Sequence, residues 1–253
     1  MHDYTGKAGL ITGAGSGIGR AIALAFAQAG GRVVVADIDS RGGEETVRLI
    51  HEAGGQASFQ RCDVSLAADV EALINTVLAN YGTLDFAINN AAVELEKTAL
   101  TEVPEAIYDR IMAVNVKGVF FCLQEQIRQM ARQGQGAIVN IASVNAHRPQ
   151  YHQSVYTASK HAVLGLTRNA AIEAAAAGVR INAICPGAIE TPMLEASLDQ
   201  ANLPRQDVIE RMSLNGRFGR PHDIAQAALW LCSEDASFTY GHALAVDGGY
   251  LAR

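Results

Sequence analysis

Cysteine is scarce: Cys62, Cys122, Cys185 and Cys232 are spread across 253 residues, with neither the density of a disulfide scaffold nor a C-x-x-C pair. Free, mostly buried thiols are the expectation. No His/Cys/Asp cluster has metal-ligand spacing, so no catalytic metal is expected. No apolar run approaches the ~18 residues of a membrane span. The opening Met1-His2-Asp3-Tyr4-Thr5-Gly6-Lys7 lacks the basic head and apolar stretch of a signal peptide, and a cytoplasmic protein is expected. Internal repeats, low-complexity tracts and Pro/Ser-rich linkers are also missing. Positive charge is the minority, 20 Lys and Arg against 26 Asp and Glu, and the net charge of -6 argues against nucleic acid or an anionic membrane as partner.

What is present is a globular composition, 49% hydrophobic and 18% charged. Short apolar runs at Ala8 to Thr12, Arg32 to Ile38, Ala57 to Val64, Leu84 to Asn89, Ala137 to Ala142, Arg180 to Cys185 and His242 to Asp247 read as seven strands of a parallel sheet covered on both faces. Helical patterns lie between them, over Gly19 to Gln28, Gly43 to Ala53, Ala67 to Tyr81, Tyr108 to Arg132, Tyr156 to Ala177 and His222 to Ser233. This alternation predicts an α/β, doubly wound (Rossmann) fold occupying residues 1–253 as one domain. The longest irregular stretch, Ala188 to Gly219, follows a strand's carboxyl end, where such sheets bind ligands.

Between the first strand and first helix runs Thr12-Gly13-Ala14-Gly15-Ser16-Gly17-Ile18-Gly19. It departs from strict G-x-G-x-x-G and fits Thr-Gly-x-x-x-Gly-x-Gly. Glycines here let the backbone turn tightly against a pyrophosphate at the helix N-terminus, making Gly13, Ser16, Gly17, Ile18 and Gly19 candidate cofactor contacts. A flexible glycine turn is the alternative. Asp37 ends the second strand about twenty residues further on, where a carboxylate can accept hydrogen bonds from adenosine ribose hydroxyls and would repel a 2′-phosphate. NAD is therefore favoured over NADP, with Arg41 close enough to keep the question open and a helix cap as the other role for Asp37.

Tyr156 and Lys160 stand one helical turn apart, so their side chains share a face. An ammonium beside a phenol favours the phenolate, and Tyr156 is expected to fall below its reference pKa of ~10 and to act as acid or base. No Gly-x-Ser-x-Gly elbow supports a Ser/His/Asp hydrolase instead.

Together with Cys62-Asp63-Val64, Asn89-Asn90-Ala91-Ala92, Asn115, Ser143, Pro186-Gly187 followed by Thr191, and Asp247-Gly248-Gly249, these motifs resemble the short-chain dehydrogenases/reductases from Lys7 to Gly249. Ala92 departs from the family's usual glycine. The resemblance implies that Tyr156 is the general acid/base and Lys160 its electrostatic partner and ribose anchor. It further implies that Ser143 donates to the substrate oxygen and that Asn115 is a helix-embedded link to a water relay. For the cofactor it implies adenine contacts from Asp63 and Val64, sugar contacts from Asn90, and carboxamide contacts from Ile189 and Thr191. Each has a plainer alternative: Asp63 as a helix cap, Asn90 and Ser143 as turn residues, Asn115 bonded to neighbouring backbone.

Glu94, Glu96, His147, Gln150, His152, Met193 and Leu194 are the candidate pocket walls, and their mixture suggests a small alcohol or carbonyl with another polar group. The activity implied is hydride transfer between NAD(H) and a small, polar or cyclic, secondary alcohol or ketone. An NADPH-dependent 3-oxoacyl reductase and a catalytically silent dinucleotide-binding regulator are the alternatives. Helices Tyr108 to Arg132 and Tyr156 to Ala177 resemble the family's subunit-packing pair and imply a homotetramer, although helices covering their own sheet would have the same composition.

Overall fold

A computed structural model describes residues 2–96, 98–201 and 204–253, without the side chains of Gln200 and Ala201; residues 202 and 203 of the loop expected over 188–219 lie outside it. Seven parallel strands are present: β1 (Ala8–Thr12), β2 (Arg32–Asp37), β3 (Gln56–Arg61), β4 (Phe86–Asn89), β5 (Gly136–Ile141), β6 (Val179–Pro186) and β7 (Ala243–Val246). They lie in the order β3-β2-β1-β4-β5-β6-β7. The chain reverses its winding direction between β1 and β4, so their carboxyl ends open a crevice.

Alternate residues of each strand go to opposite faces, and both faces are packed. Leu10, Val34, Ile138 and Ile181 face α3 (Ala67–Tyr81), α5 (Val119–Gln133) and α6 (Ser154–Ala174). Ile11, Val33, Val35 and Ile184 face α1 (Gly17–Gln28), α2 (Ser40–Glu52) and α9 (Pro221–Cys232). Two-sided burial explains why the strands read as unbroken apolar runs. Among the described residues, no helix is long and apolar enough to cross a membrane. Cys62, Cys122 and Cys185 are buried and Cys232 half-buried, all as free thiols. Burial pushes the Cys62 thiol up to about 12 and that of Cys185 to about 11.

The expected helix over Tyr108 to Arg132 is three pieces: α4 (Glu105–Met112), a π-helical segment (Ala113–Gly118) and α5. The expected irregular stretch over 188–219 contains two helices, α7 (Pro192–Ala201) and α8 (Arg205–Met212), whose Leu198 and Val208 pack with Phe218 into a small core of their own. Each begins at or just after a proline, whose fixed φ suits a helix's first turn.

A chain of polar side chains crosses the apolar interior. Asn89 and Gln126 pair through both amide groups at 2.9 and 2.8 Å, Asn89 also donates to Asn140 at 2.8 Å, and Asn140 donates to Thr167 at 2.9 Å. Asn89 and Asn140 are directly registered on β4 and β5, so the chain ties two strands to α5 and α6 below the site. Every member is matched, which is what makes its burial tolerable. Asn140→Ala strands one N–H of the Asn89 amide, and a loss of about 1–3 kcal/mol in urea-unfolding free energy is expected. An unchanged unfolding midpoint would refute the chain's structural role.

Candidate active site

The glycine loop is fixed from both sides of the crevice. Asn90 donates its amide to the carbonyls of Thr12 at 2.9 Å and Gly13 at 3.0 Å, while the Thr12 hydroxyl accepts from the backbone N–H groups of Asn90 and Ala91 at 3.0 and 3.1 Å. Gly13 takes φ +64°, and a Cβ on Gly19 would lie 2.2 Å from the Gly13 carbonyl oxygen and 2.6 Å from the Asn90 amide nitrogen. Helix α1 therefore starts closer to the sheet than any side chain permits. Arg20 is spent inside this structure: its guanidinium binds the carbonyls of Gly15 and Gly42, and its Nε donates to Thr46 at 2.9 Å.

Asp37 closes the outer side. One carboxylate oxygen accepts from the Gly15 N–H at 2.7 Å and the other from the Asp39 N–H at 2.9 Å. The cap of α2 is Asp39, which accepts from the N–H groups of Arg41 and Gly42 at 3.1 Å each, so the helix-cap reading of Asp37 does not hold. Asp63 is no cap either. It accepts from the Ser65 N–H and hydroxyl at 3.0 and 2.6 Å and lies 3.6 Å from Arg110. Burial works to raise its pKa, but the Ser65 hydrogen bonds and the Arg110 guanidinium outweigh that and hold the carboxyl below its ordinary value.

Gly13, Ser16, Gly17, Ile18, Asp37, Asp63, Val64 and Asn90 line a cavity of about 280 Å³. Ser16 occupies the N-cap of α1 without a side-chain capping bond, so the helix presents its N-terminal amides to this space unassisted. Orphan amides, glycine backbone and a strand-end carboxylate at the far edge fit a dinucleotide's pyrophosphate and ribose. A second cavity, of about 760 Å³, shares Ile18, Asn90, Ala92, Thr191 and Met193 with the first and contains Ser143, Tyr156 and Lys160 in its wall. Ala92 thus stands where the two spaces meet. Ile189 and Thr191 line the larger one, but the Thr191 hydroxyl is locally engaged, donating to Ile189 O at 3.2 Å and accepting from the Leu194 N–H at 3.3 Å.

Ser143 follows β5 and accepts from the Asn145 N–H at 3.1 Å. Tyr156 and Lys160 lie in the first two turns of α6, and the Lys160 Nζ sits 5.5 Å from the Tyr156 ring centroid. The expected acidification of Tyr156 is overturned. Burial pushes its phenol up to about 12; a hydrogen bond with the Ser143 side chain works to lower it, and the Glu94 charge raises it further. Lys160 is 3% exposed, and its ammonium donates to Ile141 O at 2.9 Å. Burial lowers its pKa to about 8, partly offset by Cys185. Desolvation is the largest influence on both groups.

The candidate walls divide. Glu94, Gln150, Met193 and Leu194 line the larger cavity; His147 and His152 do not. His147 is exposed and directs Nε2 to within 3.6 Å of the Cys185 sulfur, because the 3-10 turn Val144–Ala146 carries it past the site. His152 is exposed at φ +59° in the turn before α6.

Glu96 is a different residue from the wall expected of it. It is 6% exposed and caps α6 from the β4 loop, accepting from the Ser154 hydroxyl at 3.0 Å and the N–H groups of Val155 at 2.9 Å and Tyr156 at 2.6 Å. Asn115, fully buried in the π segment, accepts from the Val93 N–H at 2.8 Å and donates to Val93 O at 2.9 Å and Ser159 Oγ at 3.1 Å. Ser159 in turn donates to the Tyr156 carbonyl at 2.7 Å. Asn115 is thus bonded to neighbouring backbone, two links from Tyr156. Residues that sequence reasoning missed include Asn145, Gln153, Arg148, Val208, Met212 and Tyr250, all in the cavity wall. Asn145 donates to Gln153 at 2.6 Å and accepts from Gln150 at 3.0 Å, pairings that carry no local sequence signal.

A family model described as enoyl-(acyl carrier protein) reductase matches residues 13–251. The 2,5-dichloro-2,5-cyclohexadiene-1,4-diol dehydrogenase of Sphingobium indicum is 42% identical over 253 residues, covering 100% of both chains. The crystal structure of levodione reductase superposes with a TM-score of 0.94 at 38% identity, over 98% of this chain and 99% of that one. Cofactor complexes of both kinds are similar as well. One is a Brucella melitensis 3-ketoacyl-(acyl-carrier-protein) reductase with NADH (TM-score 0.91, 36% identity, 98% of this chain and 99% of that one). The other is a protein of Agrobacterium tumefaciens provisionally named 2-deoxy-D-gluconate 3-dehydrogenase, with NADP (TM-score 0.90, 36% identity, 99% of this chain and 98% of that one).

Removal of the Glu96 carboxylate in Glu96→Ala leaves two first-turn amides of α6 without their acceptor. Amide exchange at Val155 and Tyr156 is expected to accelerate, with about 1–3 kcal/mol of stability lost. Glu96→Gln, which keeps one acceptor oxygen, should recover part of both. Unchanged protection in Glu96→Ala would show that the cap is not needed.

Proposed function

The chain belongs to the short-chain dehydrogenase/reductase family, and from that premise we propose that it transfers hydride between NAD(H) and a small cyclic secondary alcohol or ketone. The observation that carries this reading is the continuity of the two cavities, with Ser143, Tyr156 and Lys160 in the wall of the larger one. The cofactor is a nicotinamide dinucleotide, which supplies the hydride acceptor or donor. Gly13, Ser16, Gly17, Ile18 and Gly19 would hold its pyrophosphate, Asp37 its adenosine ribose, Asp63 and Val64 its adenine, and Asn90, Ile189 and Thr191 the nicotinamide half.

In oxidation, the substrate hydroxyl gives its proton to the Tyr156 phenolate oxygen; in reduction, the phenol returns it to the carbonyl oxygen. Ser143 hydrogen-bonds the same substrate oxygen and orients it. Lys160 holds positive charge beside Tyr156 and anchors a ribose. Asn115 and Glu96 position Tyr156 through Ser159 and through its own N–H. Glu94, Gln150 and Met193 contact the substrate, with α7 and α8 covering it.

NAD rather than NADP is favoured by charge. A 2′-phosphate beside Asp37 meets a carboxylate, and Arg20 is already committed to loop carbonyls. Arg110 in the same cavity wall is paired with Asp63, which leaves Arg41 and Arg61, the latter registered opposite Asp37, as nearby cations. We further propose that the protein works in the cytoplasm as a homotetramer, with Phe120 of α5 and Ile172 of α6, 42% and 78% exposed, at the subunit contacts. Light scattering after size-exclusion chromatography tests this, and a lone 26.8 kDa species would reject it.

A panel of cyclic alcohols and ketones with NAD(H) and NADP(H), followed at the reduced-nicotinamide absorbance, tests the activity. Tyr156→Phe is expected to lower turnover by about 10²–10⁴-fold while leaving NADH binding intact. Tight NADH binding with no turnover on any substrate would favour the silent regulator instead. Asp37→Ala should erode discrimination against NADP, and a wild-type NADPH preference would overturn the role given to Asp37. Alcohol oxidation needs the phenolate, which burial disfavours, so kcat/KM for oxidation should climb as pH rises above neutral. Reduction needs the phenol and should decline only at alkaline pH; an oxidation rate that falls with pH would contradict the assignment.

A further inference from the structure

One side of the larger cavity carries a concentration of positive charge that the proton-transfer chemistry does not use. Arg148, Arg211 and Arg253 line it, with Glu210 as the acidic residue among them, in a chain whose net charge is -6. The three are held together by a run of contacts. The Arg148 guanidinium lies 4.8 Å from the Tyr250 ring centroid and approaches the Tyr250 carbonyl at 3.4 Å. Immediately after the turn Tyr250–Ala252, Arg253 donates to the carbonyls of Glu210 at 2.7 Å, Arg211 at 3.4 Å and Ser213 at 2.7 Å. Arg211 donates Nε to Asp207 O at 3.2 Å, which orients its side chain along α8. Glu210 accepts from Gln206 at 3.0 Å.

At the reacting end the charges are mixed, Lys160 standing in the same wall as Glu94. Glu94 lines the same cavity, close enough to Tyr156 for its charge to disfavour the phenolate. Apolar side chains, among them Leu198, Val208 and Met212, line the cavity as well. An anion is therefore drawn to the side of Arg148 and Arg211, where positive charge is in excess, while a ring fits against the apolar wall. Planar guanidinium groups match a carboxylate with paired N–H donors, and a cleft walled by apolar groups strengthens that attraction relative to open solvent.

We propose that the substrate is a ring alcohol or ketone bearing a carboxylate, received by Arg148 and Arg211 with its carbinol carbon turned towards Ser143 and Tyr156. The proposal rests on the hydride-transfer reading for the identity of the reacting group, but the acid subsite stands on the arginines and is tested by binding. The protein, saturated with NADH, is titrated calorimetrically with cyclohexanecarboxylate and with cyclohexanecarboxamide, neither of which carries a carbinol to react. The acid is expected to bind about tenfold or more tightly than the amide, with the advantage shrinking as salt is raised. Arg148→Met with Arg211→Glu should abolish the preference, whereas Arg211→Lys, which keeps the charge, should retain part of it. Melting curves of each variant establish that it is folded. Equal affinities for acid and amide, or a preference surviving in the double variant, would overturn the subsite. Acid preference without turnover of any ring alcohol would refute hydride transfer and leave the subsite standing. Turnover without acid preference would refute the subsite alone.

Discussion

Thr12 and Asn90 are separated by 78 residues, yet their backbone and side-chain groups bond across the crevice between β1 and β4. Both strands end there, so no ladder hydrogen bonds remain to hold the two loops together. The Asn90 amide takes over, and everything around the crevice is registered to it. Gly19 packs against the Gly13 carbonyl and the same amide, which sets where α1 begins. Beyond Asn90 the chain runs through Val93, gripped by Asn115, to Glu96, gripped by the first turn of α6. The glycine loop and Tyr156 are thereby referenced to one short segment, residues 90 to 96, rather than to each other across open space.

The acid–base pair has a cost of burial that its spacing alone conceals. Tyr156 and Lys160 share a helix face, but Lys160 is buried and Tyr156 half-buried, and each moves towards its uncharged form. Lys160 is retained as a donor to the end of β5, and Ser143 opposes the upward drift of the phenol. Proximity of opposite tendencies does not guarantee an acidic phenol when desolvation acts on the same atoms.

Much of the sheet was legible because each buried strand spells a continuous apolar run, and the loop of Gly13 to Gly19 with Tyr156 and Lys160 marks its chemistry by residue type. The rest depended on partners far away in sequence. Glu96 reads as a polar wall residue until α6 is seen to lack a side-chain cap of its own. His147 and His152 follow a strand end on the binding side, but a single 3-10 turn and a left-handed residue carry them past the cavity. The prolines at 192 and 204 look like loop punctuation, and only the packing of Leu198, Val208 and Phe218 makes helices of what lies between them. Local pattern identifies elements well; which side chains an irregular segment turns inward is a tertiary outcome.

The π segment at Ala113–Gly118 has a further consequence for how this chain tolerates change in length. A π turn accommodates one residue more than the α-helical turn it replaces. Deleting a single residue there would let α4 run into α5 as one regular helix, a locally favourable outcome. Because the π turn absorbs its extra residue locally, the flanking faces already have the phase of a regular helix, and the deletion would leave Cys122, Leu123 and Met130 on the core face. What it would remove is the widened turn that carries Asn115 to Val93 and Ser159. The irregularity is therefore a residue housed in place: the site gains a buried polar contact while the face that α5 owes to the sheet is undisturbed.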